Sequence, residues 1–377
     1  MRLKSLEYSQ FLGEEKEWKL TKTAFGDVNL IVGKNANGKT RTVNVISSLS
    51  GLLSGKKKPT LLSGNYKAVF EEKGKETVFV LKIADQKVVK EELTVDGMQM
   101  LKRGSSGRGK IFNSKEKKET EFQTPQNELT ANSRRDSVQH PFFEPLYEWA
   151  TSFSTYYFGT PLGKDTMVVV QNNEEDLDKS LDQEAIQLIA MFRKGRKAHG
   201  KPFVNGVIKD MKVVGYDLED IGLDKPTSII SSVSLLGLYV KERGLPFTVD
   251  QNEISQGMFR ALSLIIQINY LDRVGQRSCV LIDDIGEGLD FERSTNLINL
   301  LIQKAEKGSV QLIMSTNDRF IMNNVPLKYW SVIQRTQNGS KIFNYQNSKK
   351  VFDEFNFTGL NNFDFFSKDF FETGLEK

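Results

Sequence analysis

Val28-Asn-Leu-Ile-Val32 followed by Gly33-Lys-Asn-Ala-Asn-Gly-Lys-Thr40 is a short apolar run that breaks into a glycine-bearing loop. Beyond it Val43, Ile46, Leu49 and Leu53 recur at helical spacing until Gly55 and the Lys56-Lys-Lys-Pro59 turn. A buried strand, a tight loop and a helix in that order build a phosphate cradle, because glycines let backbone N–H groups turn inward around anionic oxygens. The cradle runs through Gly33, Lys34, Asn35, Ala36, Asn37, Gly38, Lys39, Thr40 and Arg41. Lys39 supplies the cation for β- and γ-phosphate oxygens, and Thr40 a hydroxyl for Mg²⁺.

Two later segments extend this reading. In Ile254-Ser-Gln-Gly-Met258, Ser255, Gln256 and Gly257 stand just before an apolar helical run from Ala261 to Leu271. A hydroxyl, bare amides and a helix dipole thus converge where a terminal phosphate would fit. Taken alone, Ser255 reads better as a simple helix cap, and only the other two motifs reverse that. In Cys279-Val-Leu-Ile-Asp-Asp284 a buried strand delivers Asp283 to its end, where a carboxylate suits a magnesium shell. Asp284 then faces the position of an attacking water, a helix or turn cap being the plainer role of such an Asp.

Together, Gly33 to Thr40 as a Walker A loop, Ile254 to Met258 as a signature, Val280 to Asp284 as a Walker B strand and Gly288-Leu-Asp290 as a D-loop resemble an ABC-type ATPase of the SMC/RecF/OLD-like branch. The resemblance covers the two ends of the chain, about half its length. It implies an α/β fold, an ABC-type P-loop NTPase head with a mixed sheet, an antiparallel β layer and a helical insertion. It also implies ATP and Mg²⁺ as cofactors and a head-to-tail homodimer or higher even oligomer, in which each Ser255 and Asp290 approach ATP held by the opposite Walker A loop. The family's signature Leu-Ser-Gly-Gly-Gln is Ile-Ser-Gln-Gly-Met here, which keeps the serine and the second glycine. Asp284 stands in place of a catalytic glutamate, and Asn317 in place of a switch histidine. An Asn hydrogen-bonds but carries no proton, so slow turnover and a long-lived ATP-bound dimer are expected. Gln123 and Gln126 are both candidates for the family's metal-linking glutamine.

Around these motifs the 377 residues divide into 1–130 (Walker A lobe with β layer), 131–250 (mainly helical insertion), 251–345 (signature, Walker B, D-loop and switch) and 346–377 (Phe-rich segment). Thr77 to Ile83 and Val88 to Val95 alternate as strands, with turn pairs at Lys73-Gly74 and Asp96-Gly97. Lys102 to Gln126, basic and Gly-rich with Arg103 among its cations, reads as an exposed loop or hairpin. Ala185 to Phe192 and Ile229 to Val240 read as helices, too short for a long coiled-coil arm.

Composition narrows the remaining classes. Hydrophobic residues make up 38% and charged residues 27%, as in an ordinary globular protein. One cysteine, Cys279, excludes an internal disulfide. Two histidines, His140 and His199, both expected at the surface, are too few for a multi-histidine metal centre. The Met1-Arg-Leu-Lys-Ser start lacks a signal core and no apolar stretch is long enough to span a bilayer, so a cytoplasmic protein without membrane contact is expected. A net charge of +4 leaves nucleic-acid contact to a local patch, Arg193, Lys194, Arg196 and Lys197, with a solvated helix end as the plain alternative. The C-terminal phenylalanines are expected to pack on the core.

No nuclease, protease or transferase constellation accompanies the motifs, so an output would come from a separately encoded effector. By resemblance, the expected setting is prokaryotic anti-phage defence. The alternatives are a RecF-like DNA-repair ATPase and a non-hydrolysing nucleotide-dependent scaffold.

Overall fold

The computed structural model describes residues 1–59, 63–170, 187–229, 232–275, 277–308 and 310–374. They form two units, the first made of Met1–Thr155, Arg277–Leu281 and Gln311–Lys377, the second of Tyr156–Gln276 and Ile282–Val310.

In the first unit β1 (Arg2–Gln10), β2 (Trp18–Ala24) and β3 (Val28–Val32) precede α1 (Lys39–Leu53). A meander follows: β4 (Gly64–Glu72), β5 (Lys75–Ala84), β6 (Lys87–Val95), β7 (Met98–Arg103), β8 (Arg108–Asn113) and β9 (Lys118–Gln123). Next come α2 (Glu144–Ser152) and β10 (Ser154–Tyr157). The second unit holds β11 (Val168–Val169), α3 (Gln187–Val214), β12 (Leu218–Asp224), β13 (Leu235–Glu242), β14 (Val249–Asp250) and α4 (Gln256–Val274). The chain then runs through β15 (Ser278–Asp283), α5 (Phe291–Glu306), β16 (Val310–Thr316) and α6 (Arg319–Asn324). It ends with β17 (Trp330–Thr336), β18 (Gly339–Asn344), α7 (Lys349–Asn356), α8 (Asn362–Ser367) and the single helical turn α9 (Phe370–Thr373).

Among the described residues one mixed sheet of 14 strands has the order β10-β15-β16-β3-β17-β18-β2-β1-β4-β5-β6-β7-β8-β9. β3 pairs in parallel with both β16 and β17, and all five of its residues are buried, as a strand enclosed on both faces requires. β1 and β4 to β9 are antiparallel. On β5, Thr77, Phe79, Leu81 and Ile83 alternate inward. Lys73-Gly74 and Asp96-Gly97 both take the left-handed conformation that a two-residue hairpin needs.

Lys102 to Gln126, anticipated as a loop or hairpin, supplies strands of this meander. Within it, Arg103 is not solvated. It donates to Glu91 Oε2 at 3.1 Å and to the carbonyls of Glu128 and Pro125, both side chains being wholly buried. Glu91 in turn accepts from the Thr130 and Ala131 amides at 2.8 and 2.9 Å, so the pair pins the 124–131 segment to the sheet. His140 is also buried, contrary to the surface expectation, because its Nδ1 meets the Arg134 carbonyl at 2.9 Å and its ring packs by Phe142 and Phe143. His199 is half-buried.

The second unit corrects the reading of Ile229 to Val240 as helix, of which residues 230–231 lie outside the described residues. Leu235–Glu242 is a strand, flanked by β12 on one side and by β11 and β14 on the other. Its buried apolar side chains Leu238 and Val240 are two apart, the strand period. Of Ala185 to Phe192, residues 185–186 lie outside the described residues, and the rest opens α3. That helix breaks at Gly200 (φ 56°, ψ −143°), just before Pro202.

Phe352, Phe355 and Phe371 are buried around Phe365, whose ring meets Trp330, with Phe352 and Phe365 centroids 4.6 Å apart. Phe357 alone of the C-terminal phenylalanines is fully in solvent, at 90% exposure. Cys279 is entirely enclosed in β15, and burial pushes its thiol pKa up. Among the described residues no helix is long and apolar enough to cross a membrane.

Candidate nucleotide-binding site

In the first unit the cradle begins where β3 ends. Gly33 lies so close to β17 that a Cβ there would come within 2.6 Å of Ile333 Cγ2 and 2.7 Å of its carbonyl oxygen, which only a glycine permits. The loop is tied down beyond it: Asn37 Nδ2 donates to the Ile333 carbonyl at 3.1 Å, and Ser340 Oγ donates to the Asn37 carbonyl at 2.7 Å. Ala36 (φ 64°) and Gly38 (φ 102°) turn the backbone through left-handed conformations. Lys39 is the first residue of α1 and is buried, its Nζ donating to the carbonyls of Gly33 at 2.7 Å and Lys34 at 3.3 Å. The ammonium is thus folded back over the loop, and the first turn of α1 carries no acidic residue to oppose an anion.

Lys34, Asn35, Ala36, Thr40 and Arg41 are exposed around this ring, and Asn37 and Gly38 are half-buried. Arg41 lies over the Trp18 ring at 4.4 Å and donates to Gln10 Oε1 at 3.1 Å. Asn317 is exposed at the end of β16, and the parallel register Thr316↔Val32 makes Asn317 and Gly33 the residues that leave two adjacent strands side by side. Gln123 is exposed at the end of β9. Gln126 is half-buried and donates to the Ser105 carbonyl.

In the second unit the remaining motif residues gather around the start of α4. Ser255 caps this 19-residue helix by accepting from the Met258 amide at 3.1 Å, yet it stays exposed. Gln256 Nε2 donates to the Pro161 carbonyl at 3.1 Å. A Cβ on Gly257 would stand 2.4 Å from the Gly288 carbonyl oxygen, so the signature and D-loop segments touch backbone to backbone. Asp290 caps α5, accepting from the Arg293 amide at 2.9 Å and pairing with its guanidinium at 2.7 Å. The Arg293 amide, with the guanidinium adding to it, holds the Asp290 carboxyl below the usual carboxylate range. Asp283 is buried at the end of β15, where its carbonyl accepts from the Phe158 amide at 3.0 Å. Asp284, half-buried, has a left-handed backbone (φ 56°) that opens the tight loop leading to Gly288.

Arg260, which the motif reading passed over, organises this group. Its side chain is buried, donating to the Glu287 carbonyl at 2.7 Å and the Thr160 carbonyl at 3.4 Å, with the Phe158 ring 5.8 Å away. The signal was present in the sequence: it is a lone cation inside the otherwise apolar start of α4.

No protein-family model matches this sequence, and no curated protein matches it. Solved structures match by shape. An SMC head bound to the C-winged helix domain of ScpA gives a TM-score of 0.54 at 14% identity, covering 91% of this chain and 97% of that one. An SMC head domain with an extended coiled coil bound to the C-terminal domain of ScpA, derived from Pyrococcus furiosus, gives 0.52 at 12% identity, covering 94% and 99%. The chain therefore has the fold of SMC head domains, the mixed α/β architecture of ABC-type P-loop proteins. At such identities the likeness is one of fold.

Proposed function

We propose that the chain is an ABC-type ATPase whose ATP-bound form is a head-to-tail homodimer, turned over slowly and read by a separately encoded effector in prokaryotic anti-phage defence. The observation that carries the dimer is the exposed Ser255 hydroxyl at the amino end of a 19-residue helix, on the same chain as the Lys39 cradle. The residues suit Mg-ATP: the cradle has a buried cation, a left-handed Gly38 before its helix and no acidic residue in the first turn of that helix. Thr40 and Asp283 would hold Mg²⁺, which when bound would screen the charge of the β- and γ-phosphates.

Asp284 takes the proton of the attacking water as its oxygen bonds to the γ-phosphorus and the bridge to ADP breaks. Asn317 hydrogen-bonds the terminal phosphate without exchanging a proton, and with the short Asp284 side chain this keeps turnover well below about one per second, against the usual about 10. Ser255, Gln256, Gly257 and Asp290 of one copy close over the ATP of the other.

Mixing two variants tests the dimer. Lys39→Ala and Ser255→Arg each lose ATP-dependent dimerisation in light scattering, while a one-to-one mixture recovers part of it, because a mixed dimer keeps one intact shared site. A mixture as monomeric as its components overturns the reading. The exposure of Lys194, Arg196 and Lys197 near the α3 break favours nucleic-acid binding as a second reading, which gel shifts across a salt series would test.

A further inference from the structure

The Ser255 hydroxyl has one proton to donate and two lone pairs that accept. One lone pair takes the Met258 amide at 3.1 Å. Tyr216, which no motif includes, is a second partner, its phenol hydrogen-bonded to that hydroxyl. We propose, resting on the head-to-tail dimer above, that Tyr216 is a positioning residue: its phenol donates to Ser255 Oγ, which leaves the serine's own proton aimed at the terminal phosphate held by the opposite copy.

Local structure fixes Tyr216 before any nucleotide arrives. Gly215 (φ 107°) ends α3 in the left-handed conformation, and the amides of Gly215 and Tyr216 both donate to the Met211 carbonyl, at 3.2 and 3.0 Å. This cap turns the chain sharply and buries the Tyr216 side chain where α3 packs against α4 and α5. Burial raises the pKa of the phenol, and although the Arg293 cation and the Ser255 hydroxyl oppose this, the value stays above that of a free tyrosine. The group is therefore protonated at neutral pH and able to donate.

The ring has a partner of its own. The Arg293 guanidinium lies 4.5 Å from its centroid and pairs with Asp290 at 2.7 Å. One aromatic side chain at the exit of α3 thus braces both Ser255 and Asp290, which in the proposed dimer reach the nucleotide of the other copy. The two contacts divide by atom: the hydroxyl serves Ser255, and the ring serves Asp290 through Arg293. Removing the hydroxyl alone separates them.

Sedimentation of the full chain with ATP and Mg²⁺ gives a dimer dissociation constant that tests this. Tyr216→Phe keeps the ring beneath Arg293 and is expected to weaken the dimer about tenfold, while the urea midpoint and the Kd for ATP at dilute protein change little. In a Ser255→Ala chain the same substitution should add less than about twofold, because the phenol then has no serine to aim. Tyr216→Leu, which also takes the ring from Arg293, should weaken the dimer in both backgrounds. A dimer undiminished by Tyr216→Phe overturns the proposal. So does a loss as large in the Ser255→Ala chain as in the native one, the mark of a packing residue. A native chain that stays monomeric with ATP overturns the proposed function and this inference together, whereas a native dimer indifferent to Tyr216→Phe overturns this inference alone.

Discussion

The Arg260 guanidinium donates to the Glu287 carbonyl at 2.7 Å and ties the amino-terminal turn of α4 to the loop that carries Gly288 and Asp290. Gly288 leaves no room for a side chain beside it, a Cβ there falling 2.1 Å from Arg260 Nη1. Signature and D-loop are therefore placed by one side chain. Arg260→Ala and Gly288→Ala should both lower kcat by about tenfold or more while the Kd for ATP moves little, since neither residue lies in the cradle. Lys at position 260 should recover part of the rate. Equal losses in Kd and kcat would make Arg260 a general packing residue.

Gly33→Ala is expected to damage binding. Its methyl would meet both the Ile333 side chain and carbonyl, costing about 1–3 kcal/mol of overpacking unless β3 and β17 separate. Ile333→Ala in the same chain removes only the side-chain half of that clash. Nucleotide titrations should show strong loss in the single variant and partial recovery in the double one.

The Glu91 and Arg103 pair has no solvent to fall back on. Arg103→Met leaves a buried carboxylate without its cation and should cost about 3–5 kcal/mol in urea unfolding. Replacing Glu91 by Gln and Arg103 by Met together should cost less than the sum of the single changes. Strict additivity would deny the coupling.

Lys304 on α5 reaches Asp210 and Asp272 at 3.0 Å each, and Asn269 donates to Asp210 at 2.8 Å. Burial alone would lower the lysine pKa, but hydrogen bonds and charge from the two carboxylates outweigh it and raise the value. A raised lysine contributes stability that is complete below its unfolded pKa and disappears as pH climbs through its folded one. The gap in urea midpoint between the native chain and Lys304→Met should thus be widest near neutrality and narrow in strong alkali.

The strand, tight loop and helix from Val28 to Leu53 could be read from sequence because their signals are local and consecutive. Arg103 could not, for a cation in a Gly-rich basic run reads as solvated until Glu91 on the neighbouring strand is known to oppose it. Leu235–Glu242 misled for a related reason. Its apolar residues are too few to fix a period, and its partners β12 and β14 are set by tertiary pairing. The Trp18 contact with Arg41 was equally hidden, as it joins residues 23 positions apart that no motif connects. What sequence carried was the order of the motif segments. What it lacked was the set of side chains bracing them.

Enclosure of the sole thiol makes the molecule silent to maleimides and disulfide-exchange reagents while it is folded. Any cysteine introduced at the surface would then be the single reporter, with no native background to subtract. Placed at Lys34 in one copy and Ser255 in another, such reporters could be bridged chemically, turning a transient encounter between two heads into a covalent band on a gel.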